Sequence, residues 1–90
     1  MGEIAFENWF CDEMKKRGWI NRKMAYIGRR GCADRYFFKD GKVLMVELKT
    51  PTGTTSKLQT REHAKLFAAG FYVHVIACGD DAWPFFRKFA

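Results

Sequence analysis

Apolar positions along the chain change period several times, and each change marks an element. Phe6, Phe10 and Met14 recur at i, i+4 and i+8, one stripe of a 3.6-residue helix, which predicts a helix over residues 3–17 stopped by Gly18. Glu3 and Glu7 project onto the same stripe. Acids near a helix N-terminus suit its dipole, but on an apolar face they need compensation. Residues 19–27 alternate loosely and predict a first strand, crowded with Arg22 and Lys23. Residues 34–49, DRYFFKDGKVLMVELK, hold two apolar runs around Asp40-Gly41, a two-residue hairpin signal. That turn sets a register: Lys39 opposite Lys42, Phe38 opposite Val43, Tyr36 opposite Met45 and Asp34 opposite Glu47. Leu44, Val46 and Leu48 then share one face, expected under helices, while Lys49 leaves by the same face as Glu47.

Beyond the hairpin, residues 50–55 (TPTGTT) read as a loop. Ser56 opens a second helix that ends at Gly70, and Ser56-x-x-Gln59 is a capping box at its start. The strongly apolar residues 71–77 predict a strand internal to the sheet. Asp80 and Asp81 begin a last short helix, Asp80 capping and residues 82–89 following; its Trp83, Phe85, Phe86 and Phe89 are expected in the core, with a subunit interface as the alternative. The order is helix, three strands, helix, strand, short helix. This is one α/β domain over residues 1–90, a mixed sheet flanked by helices.

Composition narrows the class. No run of apolar residues is long enough to span a membrane, and the chain opens on a helical pattern rather than on a leader. Cys11, Cys32 and Cys78 are far apart and odd in number, so reduced thiols of a cytoplasmic protein are expected rather than a disulfide frame or a zinc site. The net charge is +6, and ten of the sixteen Lys and Arg fall between Lys15 and Lys42 against two acids, Asp34 and Asp40. A basic half of this kind suits a polyanion.

The hairpin register carries the candidate chemistry. Carboxylates directly opposed across a sheet cost stability, so Asp34 and Glu47 ask for a cation. A divalent ion beside the Lys49 ammonium would supply it, and two carboxylates with a lysine around Mg²⁺ suit phosphodiester hydrolysis. The plainer alternative is a half-exposed hairpin whose polar residues face water. Gly28-Arg29-Arg30-Gly31 leads straight into this region. Its glycines permit close backbone approach and its arginines can fork onto phosphate oxygens. Arg35 is expected to point away from the acids. Gln59 is explained by its cap alone, and His63, about one turn on, reads as a surface or packing residue.

Gly31-Cys32-Ala33-Asp34, then Glu47-Leu48-Lys49, Thr50-Pro51, Gly53 and Gln59, together resemble the virus-type replication-repair nuclease (VRR-NUC) domain of the PD-(D/E)XK superfamily. The resemblance runs from Glu3 to about Ala77 and departs at Ala33, where the family usually has proline. It implies an αβββαβ core and a Mg²⁺- or Mn²⁺-dependent DNA endonuclease. In it Asp34, Glu47 and the Leu48 carbonyl would hold the metal, with Glu3 (or Glu7) as the helix-1 acid. Lys49 would orient the attacking water and stabilise charge on the phosphate, with Gln59 close by. Arg22, Lys23, Arg29, Arg30, Gly31 and Arg35 would hold the DNA backbone. Small stand-alone members imply a phage-like homodimer that cuts four-way (Holliday) junctions in the host cytoplasm. The rival readings are a binding module with this fold and no chemistry, and an interaction protein that docks through its aromatic tail.

Overall fold

A computed structural model describes residues 2–24, 35–49 and 56–90, with Glu3 described through its backbone. The elements are α1 (Glu3–Lys16), β1 (Ile20–Lys23), β2 (Arg35–Lys39), β3 (Lys42–Leu48), α2 (Lys57–Ala68), β4 (Val73–Ile76) and α3 (Gly79–Phe89). They build one four-stranded sheet in the order β1-β2-β3-β4. β1/β2 and β2/β3 are antiparallel, and β3/β4 is parallel.

The β2–β3 turn follows from its two residues. Asp40 and Gly41 have φ of 50° and 76°, the paired left-handed conformations of a type I′ hairpin, which aspartate tolerates and glycine adopts freely. The ladder runs Lys39↔Lys42, Phe38↔Val43, Phe37↔Leu44, Tyr36↔Met45 and Arg35↔Val46, the register expected from the sequence. The Asp34–Glu47 step lies outside the described residues.

Glycine also ends both longer helices. Gly18 (φ 90°) donates its N–H to the Lys15 carbonyl at 2.9 Å, and Trp19 donates to Met14 at 3.1 Å. Gly70 (φ 93°) and Phe71 repeat the pattern onto Phe67 and Leu66 at 3.0 and 2.8 Å. Both are Schellman closures, which satisfy carbonyls that the helix leaves without partners.

The two faces of the sheet are unequal. Phe37, Val46, Leu48 and Ile76 meet Phe6, Phe10 and Met14 of α1 and Ala82, Phe85 and Phe86 of α3 in the main core. Phe10 is fully buried, its ring 5.7 Å from Phe37, 5.7 Å from Phe85 and 5.1 Å from Phe86. On the other face Met45 and Val73 gather only Tyr36 and Leu66, and α2 buries none of its residues. The core therefore anchors β3 from one side and leaves the other side to polar chemistry.

Three expectations are corrected. Residues 71–77 are not an internal strand. Among the described residues β4 is an edge that pairs with β3 alone, because its apolar side chains serve the sheet faces while Phe71 and Tyr72 lie exposed before it. The first strand is short, Ile20–Lys23, with Trp19 drawn into the core; residues 25–27 lie outside the described residues. α3 begins at Gly79, ahead of Asp80, and is capped at Cys78 rather than by Asp80, with no side-chain cap bond. Asp80 and Asp81 sit inside its first turn, where they answer the helix dipole. Its aromatic residues divide: Phe85 and Phe86 are buried, whereas Trp83 and Phe89 are partly exposed.

Candidate active site

Strand alternation places the central carboxylate. Val46 and Leu48 enter the α1/α3 core, so Glu47 between them points to the α2 side. There it is fully buried. A buried carboxylate is tolerated only with charge and hydrogen-bond compensation, and among the described residues Lys49 and Gln59 contribute to it. Lys49, two residues on and therefore on the same side, brings its Nζ to 3.1 Å from Glu47 Oε1. Gln59, in the first turn of α2, donates from Nε2 to that same oxygen.

Gln59 closes the cluster from the other direction. Its Oε1 accepts from Lys49 Nζ at 2.9 Å and from the Ser56 backbone N–H at 3.1 Å. Its own backbone N–H donates to Ser56 Oγ at 3.1 Å. The amide orientation is dictated by its partners, because a flip would set NH₂ against an ammonium and oxygen against a carboxylate. One side chain thus completes the capping box and ties Glu47 to Lys49. From the sequence the two roles are compatible only if the side chain faces the sheet, and the structure combines them.

His63 lies one turn beyond Gln59. Burial holds its imidazole below the usual histidine range, the neighbouring Glu62 pulls it up and Lys49 adds a further downward push. Its Nε2 is buried with no hydrogen-bond partner among the described residues.

The remaining candidates divide. Asp34, Arg29, Arg30 and Gly31 lie outside the described residues, and Glu3 is described only as the first residue of α1. Glu7 is not brought to Glu47. Its Oε1 accepts from Arg35 Nε at 2.9 Å and from Arg35 Nη2, while Arg35 Nη1 reaches Asn21 Oδ1 at 3.3 Å. Arg35 pairs with Val46 in the ladder, so this network occupies the α1 face, opposite Glu47. Arg35 does point away from Glu47, as expected, but into an internal ion pair. Arg22 and Lys23 are exposed on β1, the far edge strand of the sheet.

Among the described residues no three His, Cys, Asp or Glu side chains gather into one cluster. Glu47 is the one acid of the metal set expected from the sequence whose side chain is described; Asp34 and the Glu3 side chain lie outside the described residues. The set is all oxygen when the Leu48 carbonyl is included, which fits a hard cation such as Mg²⁺ or Mn²⁺. The Lys49 ammonium balances only one carboxylate, so a second one at this place leaves negative charge for the ion to offset.

No family model matches the chain. Its fold is that of a solved structure described as "VRR_NUC domain", with a TM-score of 0.89 over 98% of this chain and 97% of that one, at 22% sequence identity. It is thus an α/β protein with the VRR-NUC nuclease fold. It is also 39% identical over 79 residues to "Putative nuclease p44" of Acyrthosiphon pisum secondary endosymbiont phage 1, covering 87% of this chain and 85% of that protein. The chain belongs to the family of that phage protein. No helix of the described residues is long and apolar enough to cross a membrane.

Proposed function

We propose that this protein is a metal-dependent endonuclease that hydrolyses DNA phosphodiester bonds, with branched or four-way DNA as substrate and two copies acting together. The observation that carries the reading is the buried Glu47 held between Lys49 and Gln59, within a fold and a family both tied to nucleases. Asp34 is assigned as the second carboxylate: the described ladder ends at Arg35↔Val46, and one further step along both strands is Asp34 with Glu47. Glu3 is assigned as the helix-1 acid in preference to Glu7, which already serves Arg35.

When bound, Mg²⁺ or Mn²⁺ supplies Lewis acidity at the scissile phosphate. Asp34, Glu47, the Leu48 carbonyl and Glu3 would hold it. Lys49 is partly exposed and fixed at both ends of its reach, by Glu47 and by Gln59. Its ammonium can donate to a phosphate oxygen as charge builds there, with little reorganisation. Gln59 keeps that ammonium from swinging to solvent. Arg22, Lys23, Arg29, Arg30 and Gly31 are assigned to the DNA backbone, which needs charge rather than base-edge readout. Arg35 is left out of that set because its donors serve Glu7 and Asn21. Two copies suit a four-way junction, whose symmetric strands need paired cuts.

The test is a cleavage panel of duplex, flap, single-stranded and four-way DNA with and without Mg²⁺, using wild type and Lys49→Ala. Wild type is expected to cut only with metal and best on the four-way substrate, and Lys49→Ala to bind but not cut. DNA binding with no cleavage of any substrate would leave a binding module. Undiminished cutting by Lys49→Ala would retire the mechanism.

A further inference from the structure

Among the described residues β4 ends the sheet on an open edge. The Ile76 carbonyl accepts from the Lys49 N–H at 3.0 Å, so the peptide groups of His74 and Ile76 point towards β3. By strand geometry those of Val73 and Val75 point out of the sheet. The edge carries none of the usual guards against pairing. Val73–Ile76 reads VHVI, with no Lys, no Pro and no acid. Val75 is 46% exposed and Tyr72 59%, an unusual cost for a strand end this apolar.

Grooves flank this edge on both sides. One of about 320 Å³ lies against α2, with Phe67, Tyr72 and Val75 in its wall. The other, of about 230 Å³, lies against α3 and includes Val75, Phe85 and Phe89, with Asp81 and Lys88 among its lining residues. Asp81 belongs to the first turn of α3 and Lys88 to the last, about 10 Å apart along the axis at 1.5 Å per residue. The groove is acidic towards one end and basic towards the other, with His74 and apolar side chains between. That polarity is self-complementary under a two-fold axis, the condition for an isologous interface.

We propose that a second copy of this chain docks here. β4 pairs antiparallel with β4 of the other copy, Val73 exchanges backbone hydrogen bonds with the other copy's Val75, and Asp81 meets the other copy's Lys88. Another strand is the partner that satisfies a row of outward N–H and C=O groups, and the chain's own β4 brings the matching charges. DNA is a poor occupant, since the edge offers apolar surface and balanced charge. The pairing joins two four-stranded sheets into one of eight. It sets the two β3 strands about 14 Å apart at ~4.8 Å per strand, with both Glu47 side chains on the α2 side. The inference rests on the two-copy reading above and specifies its seam.

The test is sedimentation of the full chain without DNA, with circular dichroism to confirm folding. Wild type is expected to be a dimer at micromolar concentration. Val75→Lys should be a folded monomer. Asp81→Lys and Lys88→Asp alone should each weaken dimerisation about ten-fold, and the double variant D81K/K88D should restore it. Both swaps oppose the dipole of α3, so helix stability should fall further in the double variant. Recovery of the dimer there cannot be a stability effect. If Val75→Lys and both single variants keep the wild-type dimer, the seam lies elsewhere and the two-copy reading stands. If wild type is monomeric, both fall, and the assignment of Glu47 and Lys49 is untouched.

Discussion

Replacing Gln59 by alanine separates capping from site assembly. The side chain makes three hydrogen bonds: it accepts from the Ser56 N–H at 3.1 Å and from Lys49 Nζ at 2.9 Å, and donates to Glu47. The first is a neutral, exposed bond contributing about 0.5–1 kcal/mol, and the other two involve charged groups at about 1.5 kcal/mol each before coupling. Losing a donor to a fully buried carboxylate adds a desolvation cost, while the shared geometry makes the contributions less than additive. Gln59→Ala should therefore cost about 3 kcal/mol, a fall in Tm of roughly 12–24 °C for a domain of this size. The internal standard is Ser56→Ala. It removes the other half of the capping box, the bond from the Gln59 N–H to Ser56 Oγ at 3.1 Å, and should cost about 1 kcal/mol. Urea denaturation of both variants reads the difference. Equal losses would mean that Gln59 only caps α2 and that its bonds to Glu47 and Lys49 contribute nothing, which would refute the tied cluster.

Other consequences can be checked in parallel. The His74 ring is packed 4.9 Å from Tyr72, 5.0 Å from Phe85 and 4.5 Å from Phe89, and burial, helped by Lys88, holds its pKa below the ordinary value of 6.5. Between the folded pKa and 6.5 the unfolded chain binds the proton more readily, so stability is full above that window and falls as the pH drops through it. Unfolding free energies at roughly pH 7.5 and 5.5 should show the loss, and His74→Phe should shrink it; His63, shifted the same way, accounts for a remainder. An unchanged pH slope in His74→Phe would contradict this. Arg29→Ala with Arg30→Ala should weaken DNA binding and reduce the slope of log affinity against log salt by about 1 per residue, with turnover at saturating DNA largely kept. A change confined to turnover would remove those residues from the backbone-binding set.

The legible parts of this chain are those where local chemistry leaves one solution. Asp40-Gly41 can supply the two left-handed residues of a type I′ turn, and that turn sets the β2–β3 register, while strand alternation puts Glu47 and Lys49 on one side. Gly18 and Gly70 end helices because the closing residue must take positive φ. Ser56 and Gln59 read as a capping box and form one. Long-range pairings were hidden. Nothing near Glu7 announces Arg35, 28 residues away, although the register that sends Arg35 to the face opposite Glu47 was a usable signal. Residues 71–77 looked internal because an apolar run does not reveal how many neighbours its strand has. The start of α3 is not legible in the sequence because Asp80 is a good cap residue, yet two acids inside the first turn meet the same electrostatic need. The assignment of Asp34 rests on the turn and on the family, since it lies outside the described residues.

The most direct test of the central claim is the single-turnover cleavage rate of four-way DNA against Mg²⁺ concentration for wild type, Asp34→Asn and Glu47→Gln. Both substitutions keep shape and remove one negative charge. The account predicts a rate that rises from zero with Mg²⁺ in wild type and stays near background in both variants at every concentration. Cleavage by wild type in the presence of chelator, or a wild-type rate in Glu47→Gln, would contradict it.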